Sequence, residues 1–453
     1  MSIALLALTL SAFAIGTTEF VIVGLIPTIA SDLAVSLPSA GLLVSLYALG
    51  VAVGAPLLTA LTGKVPRKLL LLSLMVLFTA GNLLAWQAPG YESLILARIV
   101  TGLAHGVFFS IGSTIATSLV SKEKAASAIA IMFTGLTVAL VTGVPLGTFI
   151  GQQFGWRETF LAVSLLGVIA FIGSLLFVPR DIQHSKPASI VQQLAVLKQP
   201  RLLLVHAMTA VGYGGTFIAF TFLAPILQEI SGFGEGAVSL VLLVYGVSVA
   251  VGNIWGGKLA DRRGPISALK LIFTLLAVVL LALTFTAANP WLALTTVLLW
   301  GAVAFGNVPG LQVYVVRQAE HYTPNAVDVA SGLNIAAFNL GIAGGAWLGG
   351  HIVASMGLIH TAWIGSLVVL GALALTFWSG RLDRANTSPE HHQNDAIQEP
   401  ATAASYCSTH RSILNDHPRL RPRHLPPQGS ASHRLSEDGP RTRLSPYRHC
   451  ADL

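Results

Sequence analysis

Glu19, Arg98 and His105 are ionisable residues set in long apolar stretches of the chain, and Glu19 is the only acidic residue deep inside any of them. An ionised carboxylate at the centre of a bilayer costs roughly 2.5–3.5 kcal/mol even on insertion scales, so it implies a partner or a function. Burial favours the neutral form of a carboxyl, whereas a neighbouring arginine favours the ionised form. A site whose surroundings alternate between the two can bind and release a proton. Arg98, Gly102, His105, Phe109 and Gly112 follow one another in steps of 4, 3, 4 and 3 and share one helical face. A polar stripe on a membrane-spanning helix faces protein or a water-filled cavity, not lipid. Blander readings stand beside proton chemistry: a fixed Glu19–Arg98 pair that never titrates, an Arg98 that reaches to the bilayer surface, and a His105 that only bonds a neighbouring helix.

The elements that hold these residues follow from composition. The 453 residues are 54% hydrophobic and 10% charged, with a mean hydropathy of +0.73. Soluble domains carry about 25% charged residues. A soluble enzyme, a nucleic-acid-binding domain and a disordered protein are thereby excluded. The net charge of +7 divides into +5 over residues 1–380 and +2 over 381–453. About 20 mostly apolar residues make a helix that crosses the hydrocarbon core. Twelve such runs are expected, roughly 4–29, 39–61, 69–88, 93–119, 127–152, 158–178, 202–228, 236–256, 266–288, 291–316, 329–354 and 358–380, hereafter spans 1–12. They lack the strict alternation of barrel strands, so the expected fold is an all-α polytopic membrane protein. The first run opens at Ile3 without a basic leader and is read as a retained span. Cys407 and Cys450, the two cysteines, fall outside all twelve runs, so no disulfide framework or cysteine metal site is expected.

Loop charge alternates sharply. Fourteen Lys and Arg (Lys64, Arg67, Lys68, Lys122, Lys124, Arg180, Lys186, Lys198, Arg201, Lys258, Arg262, Arg263, Lys270 and Arg317) fall on one side, and only Arg157 on the other. The positive-inside rule puts both termini in the cytoplasm. The loop 179–201 divides an N-terminal six-helix half, 1–178, from a C-terminal half, 202–380. The halves align at a near-constant offset: Pro27 with Pro225, the Leu61–Lys64 stretch with Leu259–Arg262, Gly135 with Gly332, and Gly151 with Gly349. Parallel repeats of this kind recur in transporters, with the substrate site near the midplane between them. Residues 381–453 hold 8 of the 22 prolines, 7 of the 13 histidines, ten arginines and no lysine, and a disordered cytoplasmic tail is expected there.

At 1.5 Å per residue, Glu19 lies three or four residues outward of the centre of span 1. Arg98 lies about seven outward in span 4, and His105 near its centre. At the repeat offset Glu19 corresponds to Phe217 of span 7. The expected division of labour is a proton site in the first half, beside Phe20 and Phe109. The second half then supplies an aromatic wall of Tyr213, Phe217 and Phe220, the alternative being that these rings face lipid or only pack. Asn307, Gln312, Asn334 and Asn339, in spans 10 and 11, are candidates to bond either a ligand or another helix.

Several motifs resemble one family. Gly257-Lys-Leu-Ala-Asp261-Arg262-Arg263-Gly264 after span 8 resembles the signature loop of the major facilitator superfamily, where a carboxylate and arginines form a latch between helix ends. The loop after span 2 departs from it, with Gly63 in the aspartate's place. The stretch Leu96-Ala-Arg98 to Gly106 resembles the arginine-containing span 4 motif. Gly135, Gly143, Pro145, Gly147 and Gly151 resemble the span 5 motif of the drug/proton antiporter group. Gly155-Trp-Arg-Glu-Thr-Phe160 also looks typical of that group, and Gly16-Thr-Thr-Glu19-Phe20 resembles span 1 of its bacterial branch of arabinose-efflux-like and purine-efflux-like permeases. The resemblance covers residues 1–380. It implies two pseudo-symmetric six-helix halves in the bacterial inner membrane, no enzymatic activity, and export of a small molecule (a drug, sugar or purine) against protons by alternating access. The proton is the coupling ion, with no cofactor, metal or nucleic acid, and the lipid bilayer surrounds a monomer. A proton-coupled importer or facilitator of the same fold is the alternative, and a non-transporting membrane sensor a remote one.

Overall fold

The computed structural model describes residues 2–62, 64–121, 125–180, 182 and 190–386. These contain twelve helices long and apolar enough to cross a membrane: Ile3–Asp32, Leu37–Leu58, Arg67–Trp86, Tyr91–Ser118, Ala128–Phe154, Trp156–Phe177, Pro200–Ile230, Glu235–Arg263, Pro265–Thr286, Pro290–Tyr322, Pro324–Ser355 and His360–Ala385. They are spans 1–12 in that order, and no strand occurs among the described residues. Large apolar side chains such as Phe285, Trp291, Leu176 and Ile254 are exposed on the bundle surface, as expected of a helix surface facing lipid rather than water.

Proline explains three interruptions. It has no N–H, and its ring crowds the carbonyl four residues back. In span 5, Pro145 follows a π-helical turn over Ala139–Gly143. In span 7, Pro225 acts on Thr221, and the regular helix ends at Phe220. In span 10, Pro309 acts on Phe305, where Pro290–Ala304 gives way to Asn307–Tyr322. Span 1 runs unbroken through Pro27, so the prolines matched by the repeat have different effects.

Close packing of spans 1 and 5 fixes the position of Glu19. A Cβ on Gly135 would lie 2.2 Å from the Thr9 carbonyl oxygen, one on Gly143 2.2 Å from Thr17 Oγ1, and one on Gly147 2.5 Å from Val21 Cγ2. The pairs advance by eight and then by four residues on both helices, so small residues at multiples of four hold the two in register. Spans 7 and 11 repeat the arrangement: Gly341, Gly345 and Gly349 face the backbones of Ala210, Gly214 and Ile218.

The halves meet at one end of the bundle, the end of the 33–36, 87–90 and 231–234 turns. There Ser45 donates to the Ala343 carbonyl at 2.7 Å, and Ser239 to Gln152 Oε1 at 2.9 Å. Span 8 touches span 5 backbone to backbone at Gly246 and Leu140. Toward the opposite end Leu57 and Leu61 of span 2 are exposed and Gly332 of span 11 has open space around it.

Three elements differ from the sequence expectation. Span 8 continues as helix through the signature-like stretch to Arg263. Ile190–Leu197 of the 179–201 connection forms a helix, with Val196 fully buried, and span 7 begins at Pro200. The last helix continues past Gly380 to Asn386, because Asp383 finds Arg201 as a partner. The tail expectation falls, from residue 387 on, outside the described residues, as does Gly63 of the signature-like loop.

Candidate functional site

Glu19 is buried at 7% exposure on span 1, and its Oε2 lies 3.9 Å from Nδ1 of His105. The same Nδ1 is 3.0 Å from the hydroxyl of Tyr47 on span 2. One imidazole nitrogen is thus shared between a phenol at hydrogen-bond distance and a carboxylate about 1 Å farther off. Span 4 comes close enough because it presents Gly102 to span 2: a Cβ there would lie 2.3 Å from the Tyr47 carbonyl oxygen. Phe109 lies one turn along, its ring 5.0 Å from that of His105.

Arg98 takes a different position from the one its spacing suggests. Its guanidinium donates to the Thr18 carbonyl at 2.7 Å and, at longer range, to the carbonyls of Leu43 and Glu19. It also stacks 4.1 Å from the Tyr47 ring centre. The charge therefore approaches Glu19 through the backbone of span 1, not as a carboxylate–guanidinium pair. Neither does Arg98 reach to the bilayer surface, since it is 1% exposed. Asn82 completes the frame by accepting from Thr18 Oγ1 at 2.7 Å.

Glu19 also lies on the seam between the halves. A narrow gap, with no room for a water-sized centre, is lined by Glu19, Phe20 and Val23, by Val44, Tyr47 and Ala48, and by Phe217 and Ile342 of the second half. Phe20 reaches across it to Phe217 and Phe305, with ring centres 6.4 and 6.1 Å away. Tyr213, Phe217 and Phe220 are all buried and face inward: Tyr213 stacks on Phe217 at 5.4 Å, and Phe217 meets Phe220 at 5.2 Å. Phe305, Phe338, Tyr245 and Trp300 extend the cluster.

The four amide candidates divide into two kinds. Asn334 accepts from Thr209 at 2.7 Å and donates to Gln312 at 3.0 Å, and Gln312 donates in turn to Ser331. These two knit spans 7, 10 and 11 together. Asn307 and Asn339 each donate to a carbonyl of their own span and keep a buried side-chain oxygen without a hydrogen bond. Among the described residues no group of three His, Cys, Asp or Glu side chains is placed to hold a metal.

A family model for the Major Facilitator Superfamily matches residues 8–324. The chain belongs to that superfamily. It is 56% identical over 381 residues to the uncharacterized MFS-type transporter YtbD of Bacillus subtilis, covering 84% of this chain and 96% of the relative. It is 35% identical over 384 residues to a protein of Streptomyces lividans named chloramphenicol resistance protein, covering 83% and 96%. Among solved structures it resembles a bacterial homolog of the human lysosomal transporter Spinster in an inward-facing, unoccupied conformation. There the TM-score is 0.66 at 16% identity, over 83% of this chain and 96% of that one, a likeness of fold. The chain is therefore a multi-pass membrane transporter of this superfamily and not an enzyme.

Within that fold the signature-like stretch is not a loop: residues 257–263 are the last turns of span 8, and Gly264, at φ +78°, makes the turn into span 9. Asp261 and Arg262 are exposed, and the ion pairs among the described residues are His105–Glu19, Arg157–Asp32 and Arg201–Asp383. The charged latch expected at Asp261 is not closed in this conformation. The charges that do fasten helix ends are the other two pairs. Arg157, with Trp156, holds Asp32 between spans 6 and 1. Asp383 accepts from Tyr314 at 2.8 Å and from Gln318 at 3.1 Å besides pairing with Arg201. Sequence reasoning missed Tyr47 and Asp383. A tyrosine in the middle of an apolar span is the available signal for the first, and Asp383 lies in the stretch expected as tail.

Proposed function

We propose that this transporter exports small molecules from the cytoplasm in exchange for protons, with Glu19 carrying the proton and His105 its alternating partner. The observation behind this reading is the position of Glu19. It is the carboxylate on the seam where the halves meet, against a histidine nitrogen that a second partner already claims. Separation of the halves would wet the gap and favour the ionised form, and closure would favour the neutral one. Cargo and proton would then compete for one seam, as exchange requires.

The loop charges orient the molecule: with the 14 Lys and Arg inside, the end where the halves meet is the outer one. The conformation described above then faces inward and is sealed outside. The name of the Streptomyces lividans relative supports export of drug-like cargo, and chloramphenicol belongs in the first panel.

The test uses inverted membrane vesicles carrying an imposed proton gradient, to which drugs, sugars and nucleosides are added in turn while proton release is recorded. Cargo-triggered release in the wild type that is absent in Glu19→Gln is the expected result. Downhill cargo flux with no proton movement in the wild type would make the protein a facilitator and Glu19 a structural group.

A further inference from the structure

Four buried polar atoms without hydrogen bonds lie on the spans that carry the aromatic cluster of the second half: Tyr245 Oη, Trp300 Nε1, Asn307 Oδ1 and Asn339 Oδ1. Trp300 is fully buried and Tyr245 2% exposed. Buried polar groups are hydrogen-bonded as a rule, and an orphan asks what satisfies it. Near Glu19, by contrast, Thr18, Asn82, Tyr47 and His105 already bond one another or the backbone. The two orphan donors are neighbours. Tyr245 and Trp300 meet edge to face at 5.8 Å, and both touch Phe220, at 5.2 and 6.1 Å. Phe220 in turn touches Phe217, which lines the gap beside Glu19. A path of rings leads from the seam to the donors.

We infer that this part of the second half is the cargo-selecting subsite, and that it takes a neutral planar aromatic compound bearing hydrogen-bond acceptor oxygens. A planar ring entering from the gap replaces ring–ring contacts with ring–ligand contacts of the same kind. Its acceptor oxygens satisfy the Tyr245 hydroxyl and the Trp300 N–H, each of which donates. A polar hydrogen elsewhere on the ligand suits the orphan amide oxygens of Asn339 and Asn307. Aromatic rings alone would also welcome an organic cation. Two donors at the end of the path oppose one, and the single carboxylate in the gap lining is Glu19, which the exchange assigns to the proton. The inference rests on the exporter reading for its direction of transport and for assigning Glu19 to the proton, and on the orphan donors for the rest of its chemistry.

Equilibrium binding tests it without any proton gradient. The full chain in lipid nanodiscs, with empty nanodiscs subtracted, is titrated with 7-methoxycoumarin and with 2-methoxynaphthalene, a bicycle of the same shape that lacks the lactone oxygens. Trimethylphenylammonium is added as a competitor. The wild type is expected to bind the coumarin at least tenfold more tightly than the naphthalene, with no displacement by the cation. Tyr245→Phe and Trp300→Phe are each expected to weaken coumarin binding about fivefold or more and to leave the naphthalene within twofold, which also shows that the site is still folded. Equal loss for both bicycles, coumarin binding unchanged in both variants, or displacement by the cation would overturn the inference. If the selectivity holds but no protons move in vesicles, proton coupling is lost and the subsite stands.

Discussion

His105 Nδ1 is the atom on which the account turns, because Tyr47 holds it at 3.0 Å while Glu19 waits at 3.9 Å. Tyr47→Phe keeps the ring beneath Arg98 and deletes only the hydroxyl. A neutral hydrogen bond contributes about 0.5–1.5 kcal/mol net. The variant should therefore fold, and its cargo-driven proton flux should change about two- to tenfold in initial-rate measurements. An unchanged flux would mean that the phenol does not compete for the imidazole. Arg98 should behave differently. Its fork holds carbonyls of spans 1 and 2 and stacks on Tyr47, a geometry lysine cannot reproduce. Arg98→Lys is expected to lower the thermal unfolding midpoint and the amount of protein in the membrane. A variant with wild-type stability and altered proton coupling alone would assign Arg98 to the proton path instead.

Among the elements, Gly135 and Gly332 occupy matched positions in the sequence repeat and unlike positions in space. A Cβ on Gly135 would enter the backbone of span 1, 2.2 Å from the Thr9 carbonyl oxygen, whereas Gly332 has nothing within 4 Å. Gly135→Ala should cost about 1–3 kcal/mol through overpacking. Gly332→Ala should be neutral or stabilise by up to about 1 kcal/mol through helix propensity. Thermal unfolding of the two variants side by side decides the matter, and equal midpoints would contradict the packing described. The same comparison shows what could be read from the sequence. Continuous apolar runs gave span number and depth, and helical spacing put Arg98, His105 and Phe109 on one face. The inward direction of Tyr213, Phe217 and Phe220 was also within reach. Partnerships between helices were not, because depth and face leave open which neighbour a side chain meets. Arg98 thus points to carbonyls rather than to the carboxylate, and Phe305 and Phe338 join the aromatic cluster from spans 10 and 11. Arg201 and Asp383, placed by sequence in a loop and a tail, are partners across 182 residues.

For the whole molecule, alternating access requires the contact between the halves to open. Ser239 and Gln152 touch across it at 2.9 Å, and the twelve spans contain no cysteine, with Cys407 and Cys450 both beyond them. In a chain with those two replaced by serine, Gln152→Cys and Ser239→Cys should cross-link under mild oxidation and stop transport, with recovery on reduction. A cross-linked protein moving cargo at full rate would rule out opening at this end.

Coupling itself is tested most directly by separating exchange from accumulation in Glu19→Gln. Reconstituted protein is loaded with unlabelled cargo to measure counterflow, and, in a second assay, supplied with a proton gradient to measure uphill transport. Glu19→Gln, fixed in a neutral form, is expected to keep cargo-for-cargo counterflow and to lose proton-driven accumulation. Accumulation that survives at the wild-type level would contradict this and remove Glu19 from the proton path.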